Sequence, residues 1–167
     1  MNEAYPENCD ICPIIRNPNE AEVSRRLIEG EYWVASLRED QQLLGTSFLT
    51  LKEHKSSLEQ LTRSEDIEFR DTRNKLILAQ KRAFGSKTVN ISCLMNNAYQ
   101  SNTPAPHVHW HFKPRYDTPV TVNNEVFTDP EFGSYIRDKS THIPRPVTLQ
   151  FIGDLLRREL AQEPDSL

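Results

Sequence analysis

Three histidines, His107, His109 and His111, stand at alternate positions in residues 107–112. Imidazole gains and loses a proton near neutral pH and is also a common metal ligand. If the segment is a β-strand, its side chains alternate between two faces, so the imidazoles share one face about 6–7 Å apart along the strand. The apolar residues between them then face the other side. Beside a proline-containing loop, this pattern favours chemistry over a merely solvent-facing strand.

Two chemistries fit three clustered imidazoles. They could hold a catalytic metal, as three-histidine zinc sites do, with one position left open for water. Alternatively, one imidazole is a nucleophile while its neighbours orient it and bind an anionic substrate. Neutral imidazole attacks phosphorus near pH 7, and a protonated neighbour stabilises the phosphoryl oxygens. The histidines alone leave both possibilities open.

A Cys-x-x-Cys pair, Cys9 and Cys12, bears on this choice. Such a pair can be a redox couple or half of a zinc site. A redox couple is expected at the start of a helix that follows a strand, a context that residues 1–20 do not offer. Half a zinc site needs two more ligands, and histidine suits that role. A chance pairing of two cysteines also stays open.

The order of these motifs along the chain resembles that of the histidine triad superfamily. Residues 107–115 are similar to its signature, His-x-His-x-His followed by apolar residues and Pro-Arg. Residues 45–54 resemble its segment of Gly-His, an apolar run and Lys-x-His. Asn96 stands where the family has Asn-x-Gly, at the usual spacing before His107. With the cysteine pair, the resemblance covers residues 9–115.

The resemblance implies an α+β nucleotide-binding fold, usually a homodimer, whose members hydrolyse or transfer nucleoside monophosphates. We expect a hydrolase resembling the bacterial diadenosine polyphosphate hydrolase-like members, which cleaves a phosphoanhydride or phosphoramidate of a purine nucleoside phosphate. By this match, His109 attacks the α-phosphorus and forms a covalent nucleotidyl-histidine. His111 contacts the phosphate, and Asn96 helps to hold the loop and the phosphate.

The same resemblance implies structural zinc. Some members, including the uridylyltransferase branch, bind zinc through the cysteine pair, the Lys-x-His histidine and the first triad histidine. In this chain those residues are Cys9, Cys12, His54 and His107. A closed site with four protein ligands is structural, and it leaves the other two triad histidines free for phosphate chemistry.

The loop before the triad departs from the family pattern. Asn102 and Thr103 occupy the place of a Gly-Gln pair and are the candidate substrate-binding residues there. Pro104 replaces a small hydroxyl residue and offers no backbone N–H to a phosphate. The acidic residue that usually contacts ribose falls on Arg38, for which Asp40 could substitute.

These departures keep two alternatives open. The protein could be a nucleotidyl transferase, or a non-catalytic nucleotide sensor that kept the fold and the zinc. Arg115, in the Pro-Arg pair, is a further candidate to balance phosphate charge, whereas Asp129 and its acidic neighbours are expected to lie in a solvated loop.

Periodicity predicts an α+β architecture, an antiparallel sheet covered by one long helix and one C-terminal helix. The capping-box spacing of Thr62 and Glu65 marks the start of the long helix, and Gly85 follows its end. The predicted strands are residues 32–37, 45–51, 89–95 and 107–112. The predicted helices are residues 62–84 and a segment that begins at Pro146. Residues 117–146 are expected to be mostly loop.

Composition limits the function classes. The chain has 167 residues and a formal net charge of −4, which does not indicate a nucleic-acid partner. No apolar run reaches the roughly 20 residues of a membrane span, and the polar start does not resemble a signal peptide, so we expect a cytoplasmic protein without a membrane partner. We expect one domain over residues 1–167, with its core at 9–115 and a C-terminal extension, 116–167, packed on that core.

Overall fold

A computed structural model of the protein describes residues 5–162, so both ends of the predicted domain lie outside the described part. Its centre is a five-stranded antiparallel sheet in the order β1-β2-β3-β5-β4. No helix among the described residues is long and apolar enough to cross a membrane. The strands are β1 (Arg26–Glu29), β2 (Trp33–Leu37), β3 (Ser47–Leu51), β4 (Thr88–Ser92) and β5 (His109–Arg115).

Two main helices cover the sheet, and they confirm the predicted α+β architecture. The helices are α1 (Cys12–Arg16), α2 (Glu20–Ser24), the long α3 (Arg63–Phe84) and the C-terminal α4 (Pro146–Leu160). Short 3₁₀ turns lie at Leu58–Gln60 and Asn96–Gln100, and a small separate hairpin joins β6 (Val120–Val122) to β7 (Glu125–Phe127).

The long helix begins and ends where its capping residues predict. Thr62 and Glu65 form a reciprocal capping box, and Gly85 closes the helix in the left-handed conformation, φ 71°. Leu76 of α3 is fully buried in one apolar cluster with Trp33 and Phe112 of the sheet. The apolar face of the sheet therefore packs against α3, and the opposite face is left for the imidazoles.

The triad strand starts later than predicted. We expected strand pairing over residues 107–112, but β5 begins at His109 and runs on to Arg115. Before it, the Val108 N–H donates to the Lys55 carbonyl at 2.9 Å. The chain around His107 thus pairs with the loop after β3, which turns this histidine away from the regular strand.

The region predicted as loop, residues 117–146, contains the β6–β7 hairpin. Asn123 and Asn124 occupy its turn with positive φ angles of 48° and 63°, a conformation that asparagine tolerates better than most residues. The short elements α1, α2 and β1 were also absent from the prediction. They have only four or five residues each, too few for a periodic pattern.

Arg115 anchors this region through a buried ion pair with Asp129. The expectations that Arg115 balances phosphate charge and that Asp129 lies in a solvated loop were both wrong. Its guanidinium contacts the Asp129 carboxylate at 2.6 and 2.9 Å, and the side chains are only 3% and 1% exposed. It also donates to the carbonyls of Glu131 and Ser134. The guanidinium of Arg115 therefore holds the extension against the end of β5. The Asp129 carboxylate can be buried because this cation pairs with it.

A second ion pair ties α3 to the loop after β3. The Lys55 ammonium lies 2.6 Å from the Glu65 carboxylate, which is itself 3% exposed and accepts the Thr62 N–H. Burial alone would raise the pKa of Glu65, but hydrogen bonds from Lys55 and Thr62 outweigh it and lower the pKa.

We expect Glu65→Gln to lower the free energy of unfolding by about 2–3 kcal/mol at pH 7, because it removes a charge-assisted hydrogen bond and leaves a half-buried ammonium less well paired. A carboxyl with a lowered pKa stabilises the fold above its unfolded pKa, about 4.3, and loses that effect as the pH falls through the folded pKa. The difference between parent and variant should therefore shrink below pH 4 in urea titrations.

Asp66→Asn is the matched control, since Asp66 is the exposed acid in the same first turn of α3. It should cost less than about 0.5 kcal/mol. Equal effects of the two substitutions would contradict the role given to the Lys55–Glu65 pair.

Candidate metal centre and active site

Four side chains from three separated parts of the chain converge where β3 ends and β5 begins. Their ligand atoms all lie within 4.8 Å of one another. The Cys12 Sγ is 3.4 Å from the His54 Nδ1 and 3.5 Å from the His107 Nδ1, which is also 3.5 Å from the Cys9 Sγ. The structure thus brings together the four predicted ligands, and the cluster is able to hold a metal ion.

Local structure sets the position of each ligand. Cys9 and Cys12 flank the tight turn that starts α1, where the Cys12 N–H points at the Cys9 Sγ at 3.4 Å. His54 follows β3, and His107 precedes β5. Both cysteines and His107 are at most 2% exposed. The cluster therefore joins the N-terminal segment to the two central strands.

The geometry fits zinc. Tetrahedral zinc with the usual bond lengths places sulfur and nitrogen ligands about 3.6 Å apart, close to the distances in this cluster. The His107 Nε2 lies 2.7 Å from the Leu51 carbonyl, so Nε2–H is the donor and Nδ1 keeps its lone pair for a metal. Two thiolates and two neutral imidazoles form a closed structural set without an open position.

Burial shapes the protonation of these ligands. It lowers the pKa of His107 to about 4, so the ring is neutral at pH 7 as a ligand must be. Burial, reinforced by neighbouring Cys9, raises the pKa of Cys12 to about 12 in the metal-free protein. A bound cation reverses this second effect, because a coordinating thiol is deprotonated.

His109 projects from the sheet face opposite α3. Its Nδ1 lies 2.7 Å from the His107 carbonyl, which fixes Nδ1 as the donor and leaves the lone pair on Nε2. The His109 ring is half-buried, and its centroid is 5.0 Å from that of His111. An imidazole whose Nδ1 is held as a donor and whose Nε2 lone pair is free is the arrangement that a nucleophilic histidine needs.

His111 is the more enclosed of the two. Neither ring nitrogen has a hydrogen-bond partner among the described residues, although both atoms are buried. Burial lowers the pKa of His111 to about 4, with further contributions from the charges of His109, Lys113 and Arg38, while the nearby Leu94 carbonyl opposes the shift. Buried and unsatisfied imidazole nitrogens are costly, and an anionic ligand that accepts a hydrogen bond would satisfy the one that carries the N–H.

Phe48 forms the side wall of this pair. It lies opposite His111 in the β3–β5 register, and its ring centroid is 4.9 Å from that of His111 and 6.2 Å from that of His109. It also lines an open cleft of about 370 Å³, together with Leu37, Arg38 and Ile143. Phe48 therefore lies between the two histidines and a cleft with both apolar and charged walls.

The three loop candidates lie between β4 and β5. Asn96 starts the 3₁₀ turn, and the side chains of Asn96, Asn102 and Thr103 are all exposed. The Asn8 side chain donates to the Thr103 carbonyl, which ties this loop to the segment that carries the two cysteines. The structure shows no contact of these three side chains with the described triad, so their substrate-binding role stays a prediction.

Sequence reasoning missed two residues that border the site, Phe48 and Lys113. Phe48 was assigned to a strand, but only the register of β3 against β5 places it beside His111. Lys113 lies two residues beyond His111 on the same strand, so the alternation that grouped the histidines was a signal for it as well.

Solved structures of other proteins share this architecture. Neither protein-family models nor curated proteins give a match. A zinc-bound histidine triad family protein from Mycobacterium smegmatis is similar over 92% of this chain and 93% of its own, with TM-score 0.58 and 19% identity. A hypothetical histidine triad nucleotide-binding protein from Sulfolobus tokodaii is similar over 91% of each chain, with TM-score 0.64 and 18% identity. A Plasmodium falciparum diadenosine triphosphate hydrolase shares 17% identity over 81% of this chain and 75% of its own, with TM-score 0.55.

These likenesses identify the fold. The chain has the histidine triad fold, as the order of its motifs predicts. The resemblance to this superfamily is therefore confirmed at the level of the fold.

We expect the purified protein to carry one zinc ion per chain, and Cys12→Ser to retain less than a tenth of it. Loss of a thiolate ligand opens the closed set, and metal binding is coupled to folding, so the melting temperature should fall as well. Metal analysis after dialysis and thermal unfolding measure both effects.

Cys93→Ser is the matched control, because Cys93 is the third cysteine and lies outside the cluster. It should keep its zinc and its melting temperature. Full zinc content in Cys12→Ser would refute the assignment of Cys12 as a ligand.

Proposed function

We propose that the protein is a nucleotide hydrolase that cleaves a phosphoanhydride or phosphoramidate of a nucleoside phosphate through a nucleotidyl-His109 intermediate. The observation that carries this proposal is the His109 ring itself. Its Nδ1 donates to the His107 carbonyl, which leaves the Nε2 lone pair free, and the ring nitrogens of neighbouring His111 have no hydrogen-bond partner among residues 5–162. The histidine triad fold and a neighbour that is a diadenosine triphosphate hydrolase support the same class.

The reaction has two steps. In the first, the lone pair of His109 Nε2 attacks the α-phosphorus, and the bond from phosphorus to the leaving group breaks with its electron pair going to that group, which takes up a proton. In the second step, water attacks the phosphorus, loses a proton, and displaces His109 Nε2. The products are the nucleoside monophosphate and the protonated leaving group, and the imidazole is regenerated.

The surroundings of His109 assist both steps. The His107 carbonyl accepts the Nδ1–H bond and stabilises the positive charge that builds on the ring during attack. His111, neutral in the free protein, can donate one N–H to a phosphoryl oxygen in the enclosed environment next to Phe48. The nucleoside would occupy the cleft that Phe48 and Leu37 line.

Zinc belongs to this proposal as a structural element. Cys9, Cys12, His54 and His107 would hold it, and a similar fold from Mycobacterium smegmatis is zinc-bound. Its chemistry here is to neutralise two thiolates and lock the position of His107, whose carbonyl in turn orients His109. A purine base and a homodimer, both implied by the resemblance, are further parts of the proposal.

Two other functions remain alternatives. A transferase would use the same intermediate and pass the nucleotide to an acceptor other than water. A non-catalytic sensor is favoured by Pro104, which offers no N–H to a phosphate in the loop before the triad.

We expect AMP release from at least one member of a small panel: diadenosine triphosphate, diadenosine tetraphosphate, an adenosine phosphoramidate and ADP. His109→Ala should reduce kcat by at least about 1,000-fold, because it removes the nucleophile. Chromatography of the products and mass spectrometry of the acid-quenched protein, for an added nucleotidyl group, measure turnover and intermediate.

His142→Ala is the matched control, since the His142 ring stacks on the Phe127 ring in the extension. It should retain activity within a few-fold. Nucleotide binding without turnover across the panel, in a folded and zinc-loaded protein, would instead favour the sensor, and turnover that survives His109→Ala would refute the mechanism.

A further inference from the structure

Two cations occupy the next row of the sheet beyond the histidines. In the row of His111, the register aligns Ser36, Phe48 and His111 across β2, β3 and β5. One alternation further along, the Arg38 N–H donates to the Thr46 carbonyl at 3.0 Å, so the next row runs from Arg38 through Thr46 to Lys113. Side chains two residues apart on a strand share a face, so this row lies about 7 Å from His111 on the face of the triad.

Lys113 has no ion-pair or hydrogen-bond partner for its ammonium in the described part of the chain. The residue is half-buried. Burial lowers its pKa, the Arg38 charge lowers it further, and Asp40 partly opposes both. An unpaired, partly desolvated ammonium is unfavourable in the free protein, so an anion placed beside it would gain more than at an exposed lysine.

Arg38 faces the same space from the other side of β3. Its guanidinium lies 5.9 Å from the Phe48 ring centroid, and its side chain is 38% exposed. Among residues 5–162, its ion-pair partner is Asp40, at 3.3 Å, and that carboxylate also accepts the N–H groups of Gln42 and His142. Asp40 therefore offsets only part of the two positive charges of this row, although Glu22 and Glu39 also line the cleft beside Arg38.

Thr46 leaves room between the two cations. Its side chain is short, and its hydroxyl donates to the Leu43 carbonyl at 2.6 Å, so Thr46 itself adds no charge between them. Adjacent strands are about 4.8 Å apart, which places the Arg38 and Lys113 backbones about 10 Å apart, a span that two long side chains close around one anionic group.

We propose that Arg38 and Lys113 form a second anion site, which binds a further phosphate of the substrate next to the phosphate that the triad engages. The proposal rests on the function proposed above and narrows the substrate class to nucleotides with at least two phosphate groups. The second phosphate can be on the sugar or in the chain, since both place an anion several ångströms from the α-phosphate.

The test compares the dissociation constants of AMP, adenosine 3′,5′-bisphosphate, adenosine 2′,5′-bisphosphate and ADP, measured by calorimetry on the zinc-loaded protein at 0.15 M salt. We expect at least one of the three ligands with a second phosphate to bind at least ten-fold more tightly than AMP. Preference for a bisphosphate would place the second phosphate on the sugar, and preference for ADP would place it in the chain.

Variants identify the site. The measured quantity is the ratio of the dissociation constant of AMP to that of the ligand with a second phosphate that binds best. Lys113→Met should reduce this ratio to two-fold or less, and Arg38→Gln should reduce it at least three-fold. Lys113→Arg should keep it, because the charge remains. Lys75→Met is the matched control, since Lys75 is an exposed residue of α3, behind the opposite face of the sheet.

Three outcomes would overturn the proposal. Equal binding of AMP and all three ligands would refute the second site while the proposed function stands. A preference that Lys113→Met and Arg38→Gln both leave intact, or that Lys75→Met removes equally, would place the second phosphate elsewhere. Failure to bind any nucleotide, AMP included, would refute the proposed function along with this inference.

Discussion

His107 links the two sites of this protein, and both depend on where it is held. Its ring enters the cluster with Cys9 and Cys12, while its carbonyl accepts the Nδ1–H of His109. Because ring and carbonyl belong to one residue, the tautomer of the proposed nucleophile is set by the residue that also joins the N-terminal segment to the sheet. A metal in the cluster would act on the chemistry through this mechanical connection, without touching the substrate.

The alternation of side chains along β5 places residues of different chemistry in sequence on one face of the sheet. Adjacent positions on β5 alternate between the core and the triad face, so His109, His111 and Lys113 share one line. Phe48 on β3 closes the side of that line. Moving along the strand, the environment changes from the imidazole of His111, whose pKa burial lowers to about 4, to the Lys113 ammonium, which has no ion pair among residues 5–162. The proposed phosphate sites therefore follow one another along a single strand.

Buried ion pairs hold the parts that cover this strand. Lys55 and Glu65 connect the loop after β3 to the start of α3, and Arg115 and Asp129 connect the end of β5 to the extension. Both pairs carry additional hydrogen bonds, which are needed to offset the cost of desolvating charges. They lie at opposite ends of the triad segment, so the backbone of β5 is anchored on both sides of the histidines.

The α+β class and the limits of α3 could be predicted from the sequence, because alternation and capping residues are local signals. The grouping of the four candidate ligands was implied by the resemblance in motif order to the histidine triad superfamily. The sequence did not determine β1 or the β6–β7 hairpin, whose strands of three or four residues carry no clear period. It also misjudged Arg115 and Asp129, since no local pattern tells a buried ion pair from two solvated charges. Only the tertiary structure placed Phe48 beside His111 and Arg38 in one row with Lys113, because the pairing of distant strands decides which side chains meet.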